Sequence, residues 1–250
     1  MELVYLRSYR VASHTAGPNG FIRPSALLGF LEDAAGEHAA SWHLSFADLL
    51  PRGLMWVLTR HHLRLLRAPR YGEEIRVITW PSARRGRAAL RDFEVTDATG
   101  EIVALATTAW AVLDVATRRT RGVDDVVPPG FILDRRAITD NFEPLPAPPS
   151  AERVVTLPVM RRDLDMNRHV NHAVYLQWAL EALPPELMDA QLPRAVEIAF
   201  LAEAGLGDRI ESASATLTDA GANRCFAHRI ALADGGRELA RLRTTWAPAT

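Results

Sequence analysis

The 250-residue chain predicts an α+β fold made twice, each copy a long helix wrapped by a curved antiparallel sheet. Three observations predict it. Two runs of helix length are densely apolar, each is followed by four runs with strand character, and the halves echo one another residue by residue.

Residues 23–42, RPSALLGFLEDAAGEHAASW, read as the first helix, with Pro24 near the start, where a missing N–H costs nothing. GLMWVLTRHHLRLL, EEIRVITW, AALRDFEVTD and EIVALATTAWAVLD follow as strands. Residues 170–183, VNHAVYLQWALEAL, read as the second helix, closed by Pro184 and Pro185. Its main polar stripe is Gln177 and Glu181, so other structure must cover most of it. The second strand set is RAVEIAFLA, DRIESASATLT, NRCFAHRIALA and RELARLRTTWA. TGEIVALATTAWA set against GGRELARLRTTWA pairs Trp110 with Trp246, and YGEEI answers LGDRI. Between the halves, NFEPLPAPPS carries four prolines, which favour extended, semi-rigid chain. The expected organisation is residues 1–140 as one unit, 141–150 as a linker and 151–250 as the second unit. Such a chain is a tandem hotdog.

With 29 basic against 30 acidic residues, nothing indicates a chain-wide nucleic-acid binder. Cys225 is the only cysteine, which excludes an intrachain disulfide, a cysteine-based zinc cage and a CxxC redox pair. No apolar run approaches the ~18 residues of a membrane span. A soluble, cytoplasmic protein is expected.

The stretch DLDMNRHVNH, residues 163–172, concentrates polar side chains immediately before the second helix. If it is extended, Asp165, Asn167 and His169 alternate and project to one face. The helix-start amides of Val170, Asn171 and His172 lie next to them, and such amides suit a developing oxyanion. Two other readings stay open. Asn167 or Asn171 caps the helix while the acids favour its dipole, or Asp163, Asp165, His169 and His172 hold a metal ion. No further His or Cys cluster completes a cage for the latter, so no metal is expected, and Asp163 and His172 read as exposed or supporting groups. The repeat weighs between the first two. Placing Asn19 beneath Asn167 puts Gly17 beneath Asp165 and Phe21 beneath His169, so the first copy keeps the helix and lacks the acid and imidazole.

DLDMNRHVNHAVYLQWALEALP closely resembles the signature of the acyl-ACP thioesterases. The resemblance extends through RPSALLGFLEDAAGEHA, GLMWVLTRHHLRLLRAPRYGEEIRVITWP and RDFEVTDATGEIVALATTAWAVLDVATRRTRG. It implies tandem hotdogs that release fatty acids from acyl carrier protein without a cofactor, with Asp165, Asn167, His169 and Glu203 as catalytic residues. Glu203 aligns with Ala68 of the first half. Plant members often carry a Cys after this Glu. Here Ala204 stands there, so attack by a thiolate from that place is excluded. Plant members also carry a transit peptide and a hydrophobic N-terminal extension; neither is seen here, which points to a bacterial, cytosolic member. The expected mechanism has Glu203 or Asp165 activating water, or attacking directly, against an oxyanion held by the amides from Val170 to His172. The first half is expected to house the acyl chain through Leu27, Leu28, Phe30, Met55 and Trp56. Arg161, Arg162 and Arg168 are expected to steer the acidic carrier protein. An acyl-CoA thioesterase and a non-catalytic acyl-thioester binder remain alternatives, and a homodimer is left open.

Overall fold

Leucine and alanine at helical spacing govern the first half. In the computed structural model, which describes residues 2–128, 130–220 and 223–248, helix α1 runs Pro24–Ser41. It buries Leu27, Leu28, Leu31, Ala34, Ala35 and His38 along one stripe. Strand β1 (Tyr5–Arg10) precedes it, and a short helix α2 (Phe46–Leu49) follows, started by the Ser45/Asp48 capping box. Then come β2 (Leu54–Leu65), β3 (Glu74–Arg85), β4 (Ala88–Asp97), β5 (Ile102–Asp114) and a short β6 (Thr120–Arg121) against β5. They form an antiparallel sheet in the order β1-β3-β4-β5-β2.

The second half repeats this plan. Strand β7 (Arg153–Pro158) leads to helix α3 (His172–Glu181), which starts two residues later than expected because Val170 is held in a bridge to Leu164. Pro184 and Pro185 do stop α3, but Pro185 also opens a short helix α4 (Pro185–Ala190) that the sequence reading missed. Strands β8 (Gln191–Phe200), β9 (Arg209–Ala220), β10 (Asn223–Leu232) and β11 (Glu238–Pro248) follow. Their order, β7-β9-β10-β11-β8, matches that of the first half strand for strand. The chain divides into two compact units, Met1–Asn141 and Phe142–Thr250. Each is a hotdog, a helix against an antiparallel sheet. Among the described residues no helix is long and apolar enough to cross a membrane.

Register within the first unit corrects one of the pocket expectations. Trp56 lies opposite Val112, Trp110 opposite Ala89, and Arg91, two residues on from Ala89, reaches His38 of α1. Trp56 therefore faces α1, and its indole N–H donates to the Leu44 carbonyl at 2.9 Å. Met55, its neighbour in an extended strand, faces the other way and cannot oppose Leu27 and Leu28. Phe30 is half-buried. It lies on the flank of the buried stripe and stacks on Tyr9 of β1, ring centroids 4.3 Å apart. Leu27 and Leu28 are fully buried.

Candidate active site

The polar stretch before α3 is a tight turn, so the expected alternation of Asp165, Asn167 and His169 along an extended strand is not observed. The Asp165 amide donates to the His169 carbonyl at 2.8 Å, and the Arg168 amide to the Asp165 carbonyl at 3.1 Å. Arg168 takes the left-handed conformation with φ 63°. One carboxylate organises the turn: Asp165 Oδ1 accepts the amides of Asn167 at 2.8 Å and His169 at 3.2 Å, while Oδ2 accepts Asn167 Nδ2 at 3.4 Å. That last contact also orients the Asn167 amide, since the flipped group would set two acceptors together. Asn167 Oδ1 is left buried, with no hydrogen-bond partner among the described residues. A buried acceptor in that state is costly unless a bound donor completes it.

The first unit makes the same turn from other residues. Gly17 donates to the Phe21 carbonyl at 2.8 Å, Gly20 donates to the Gly17 carbonyl at 3.0 Å and has φ 78°, and Ala16 bridges Ile22 as Leu164 bridges Val170. There Asn19 Oδ1 accepts the Phe21 amide at 3.1 Å. In the second copy Asp165 performs that structural task and Asn167 is released from it. Upstream, Thr15 Oγ1 takes the Ala12 amide at 2.9 Å where Asp163 Oδ2 takes the Met160 amide at 2.7 Å. Asp163 is thus a buried structural cap, not an exposed group.

Glu203 arrives from the end of β8. The amides of Leu201 and Ala202 share the Leu239 carbonyl at 2.9 and 3.1 Å, a bulge that re-aims the chain just before Glu203. Leu66 and Arg67 share the Val103 carbonyl in the same way before Ala68. The result is His169 Nδ1 3.9 Å from Glu203 Oε1, both side chains partly exposed. The turn and the bulge together bring Asp165, Asn167, His169 and Glu203 to one place in the second unit. Asn171 is the N-cap of α3, its side chain accepting the Ala173 amide at 2.9 Å.

The expectation that three helix-start amides serve an oxyanion is corrected for one of them. The Asn171 N–H donates to the Asp163 carbonyl at 2.8 Å and is already used. Val170 sits in a bridge whose hydrogen bonds come from the residues on either side, so its own N–H points out of the turn with no acceptor among the described residues. Arg161, Arg162 and Arg168 are exposed beside this turn, with Met166 90% exposed between them. Sequence reasoning missed Tyr175. Its hydroxyl, within α3, contacts both peptides flanking Glu203, and burial pushes it up to about 12, with the Glu203 charge adding to the rise.

Residues 2–129 match the family described as the acyl-ACP thioesterase N-terminal domain, and residues 147–248 its C-terminal domain. The chain is 28% identical to a palmitoyl-acyl carrier protein thioesterase of Cuphea hookeriana, over 98% of this chain and 63% of that protein. It is 26% identical to oleoyl-acyl carrier protein thioesterase 1 of Arabidopsis thaliana, over 98% and 76% of the two. A solved 12:0-ACP thioesterase from Umbellularia californica has a TM-score of 0.88 at 26% identity, covering 98% of this chain and 94% of that one. An acyl-ACP thioesterase from Bacteroides thetaiotaomicron shares the fold, with a TM-score of 0.88 at 23% identity over 97% of both chains. The chain spans about 63% of the length of the first of these relatives. The two family models match the two units in order and together cover most of the sequence, and the chain belongs to the acyl-ACP thioesterase family.

Proposed function

We propose that this chain hydrolyses fatty acyl-ACP to a free fatty acid and holo-ACP, with Glu203 as the general base. The supporting observation is the placement of Glu203. Its carboxylate is partly exposed, 3.9 Å from the His169 imidazole, while Asp165 serves the turn by accepting the Asn167 and His169 amides. Glu203 takes a proton from water as the oxygen adds to the thioester carbon. The Val170 amide, at the positive end of α3, faces the resulting oxyanion. Collapse breaks the C–S bond, and His169 carries the proton from Glu203 to the departing pantetheine sulfur. Asn167 Oδ1, the buried acceptor, takes an N–H from the pantetheine arm.

The first unit, which has Phe21 and Ala68 in place of the imidazole and the acid, takes the acyl chain against Leu27, Leu28 and Trp56. Arg161, Arg162 and Arg168 offer positive charge to the acidic carrier protein. The test is release of free thiol from one acyl group carried on ACP and on CoA. Faster turnover on ACP, lost by a factor of ~10²–10⁴ in His169→Ala and Glu203→Ala proteins that remain folded, is the expected result. Equal turnover on CoA would make this an acyl-CoA thioesterase, and tight binding of both without turnover would make it a non-catalytic binder.

A further inference from the structure

Glu203 lies on irregular backbone after the bulge, and a base on a loop is useful only if that loop is held. The peptides on either side of it meet a single side-chain group. The Tyr175 hydroxyl donates to the Ala202 carbonyl at 3.4 Å and accepts the Ala204 amide at 3.3 Å. Both contacts are long, but they are made in a dry setting: Tyr175 is 4% and Ala204 3% exposed. The ring itself is fixed against Trp178 and Phe200, with centroids 5.2 and 5.6 Å away.

The repeat separates a role in folding from a role at the site. The correspondence that sets Asn19 beneath Asn167 sets Leu27 beneath Tyr175, and the first unit makes the same helix and bulge with a leucine there. No hydroxyl is required to form this structure. A buried tyrosine hydroxyl appears only in the copy that carries the acid, amide and imidazole, and its two contacts bracket the proposed base.

We infer that Tyr175 is a positioning residue that holds Glu203 toward His169 by clamping the Ala202 carbonyl and the Ala204 amide. The inference rests on the reading of Glu203 as the base. Tyr175→Phe removes only the oxygen, and the expected outcome is a fall in kcat on the order of 10- to 100-fold with KM within about twofold, the scale of a small misplacement of a catalytic group. The deciding experiment is a double-mutant cycle on acyl-ACP hydrolysis. If Tyr175 acts through Glu203, then Glu203→Ala and Glu203→Ala/Tyr175→Phe proteins have the same kcat. Amide exchange at Ala204, followed in parallel, is expected to quicken in Tyr175→Phe whether or not the protein turns over. An unchanged kcat in folded Tyr175→Phe, or losses that multiply in the double variant, overturns the positioning role. Full activity of Glu203→Ala alone instead sinks the reading on which it rests.

Discussion

At the residue scale, two carboxylates of one site have different surroundings and should respond differently to substitution. Asp165→Ala removes the acceptor of the Asn167 and His169 amides, so it should cost ~0.5–2 kcal/mol of stability, as loss of a cap does, with a secondary loss of rate. Glu203→Gln, which keeps the size of the side chain, should lower kcat by about 10²–10⁴ and cost less stability than the loss of the turn anchor. Paired melting and turnover measurements separate them, and the opposite pattern would exchange their roles. Arg168 sits at φ 63°, where its counterpart is Gly20. Arg168→Gly should therefore be neutral or stabilising by about 1 kcal/mol, while a lost carrier contact would lower kcat/KM on ACP up to about fivefold at low salt and less at high salt. His228, fully buried beside Thr244, is held down to about 4 by burial. Its unfolded imidazole titrates near 6.5, so below that pH the unfolded chain gains a proton that the folded chain refuses. Stability from this group is present above pH ~6.5 and lost as the pH falls toward about 4, by up to about 3 kcal/mol. Phe93 lies opposite Ala106 in the first unit where His228 lies opposite Leu242 in the second, so His228→Phe copies the first unit and should flatten the acid limb of a melting profile; an unchanged slope would count against it.

At the element scale, β2 decides which side chains can meet a ligand beside α1. Trp56 faces the helix and Met55 faces away, so their substitution should have unequal effects on chain-length preference. Each methylene in apolar contact is worth about 0.8 kcal/mol, and room for two more carbons corresponds to roughly fifteenfold in preference. Trp56→Ala should move the product profile across saturated acyl-ACPs toward longer chains, and Met55→Ala should not. A shift in Met55→Ala alone would place the acyl chain on the other face of the sheet.

For the molecule as a whole, the two units spend the same loops on different ends. The indole of Trp110 donates to Thr108 and that of Trp246 to Thr244, each at 2.9 Å, and the turn and the bulge recur with the same hydrogen bonds. Only the second copy brings acid, amide, imidazole and glutamate together. Asn19→Ala, which removes the turn acceptor of the first copy, should lower the melting temperature by about 2–4 °C while kcat stays at the wild-type value. A kcat loss of the size seen for His169→Ala would mean that the chemistry is not confined to the second unit.

Apolar periodicity, the paired tryptophans and the run of four prolines were enough to read the doubled hotdog from the chain, because these signals are local and each copy states them again. The candidate residues were legible as a set of types, since Asp165, Asn167 and His169 cluster in sequence and the first copy shows what the fold alone requires. Their division of labour was not. Whether Asp165 is a base or an anchor depends on which amides reach its oxygens, and that follows from a turn closed by the Leu164–Val170 bridge, which alternation along an extended strand does not anticipate. The same limit hid Tyr175, an aromatic on an apolar helix whose hydroxyl meets the Ala202 and Ala204 peptides only because the chain bulges at the end of β8. It also misplaced Met55, since the face a strand residue takes is settled by cross-strand register. Local pattern determines what the elements are; contacts between residues distant in sequence, which only the folded chain creates, decide which polar atoms are satisfied and which remain to act.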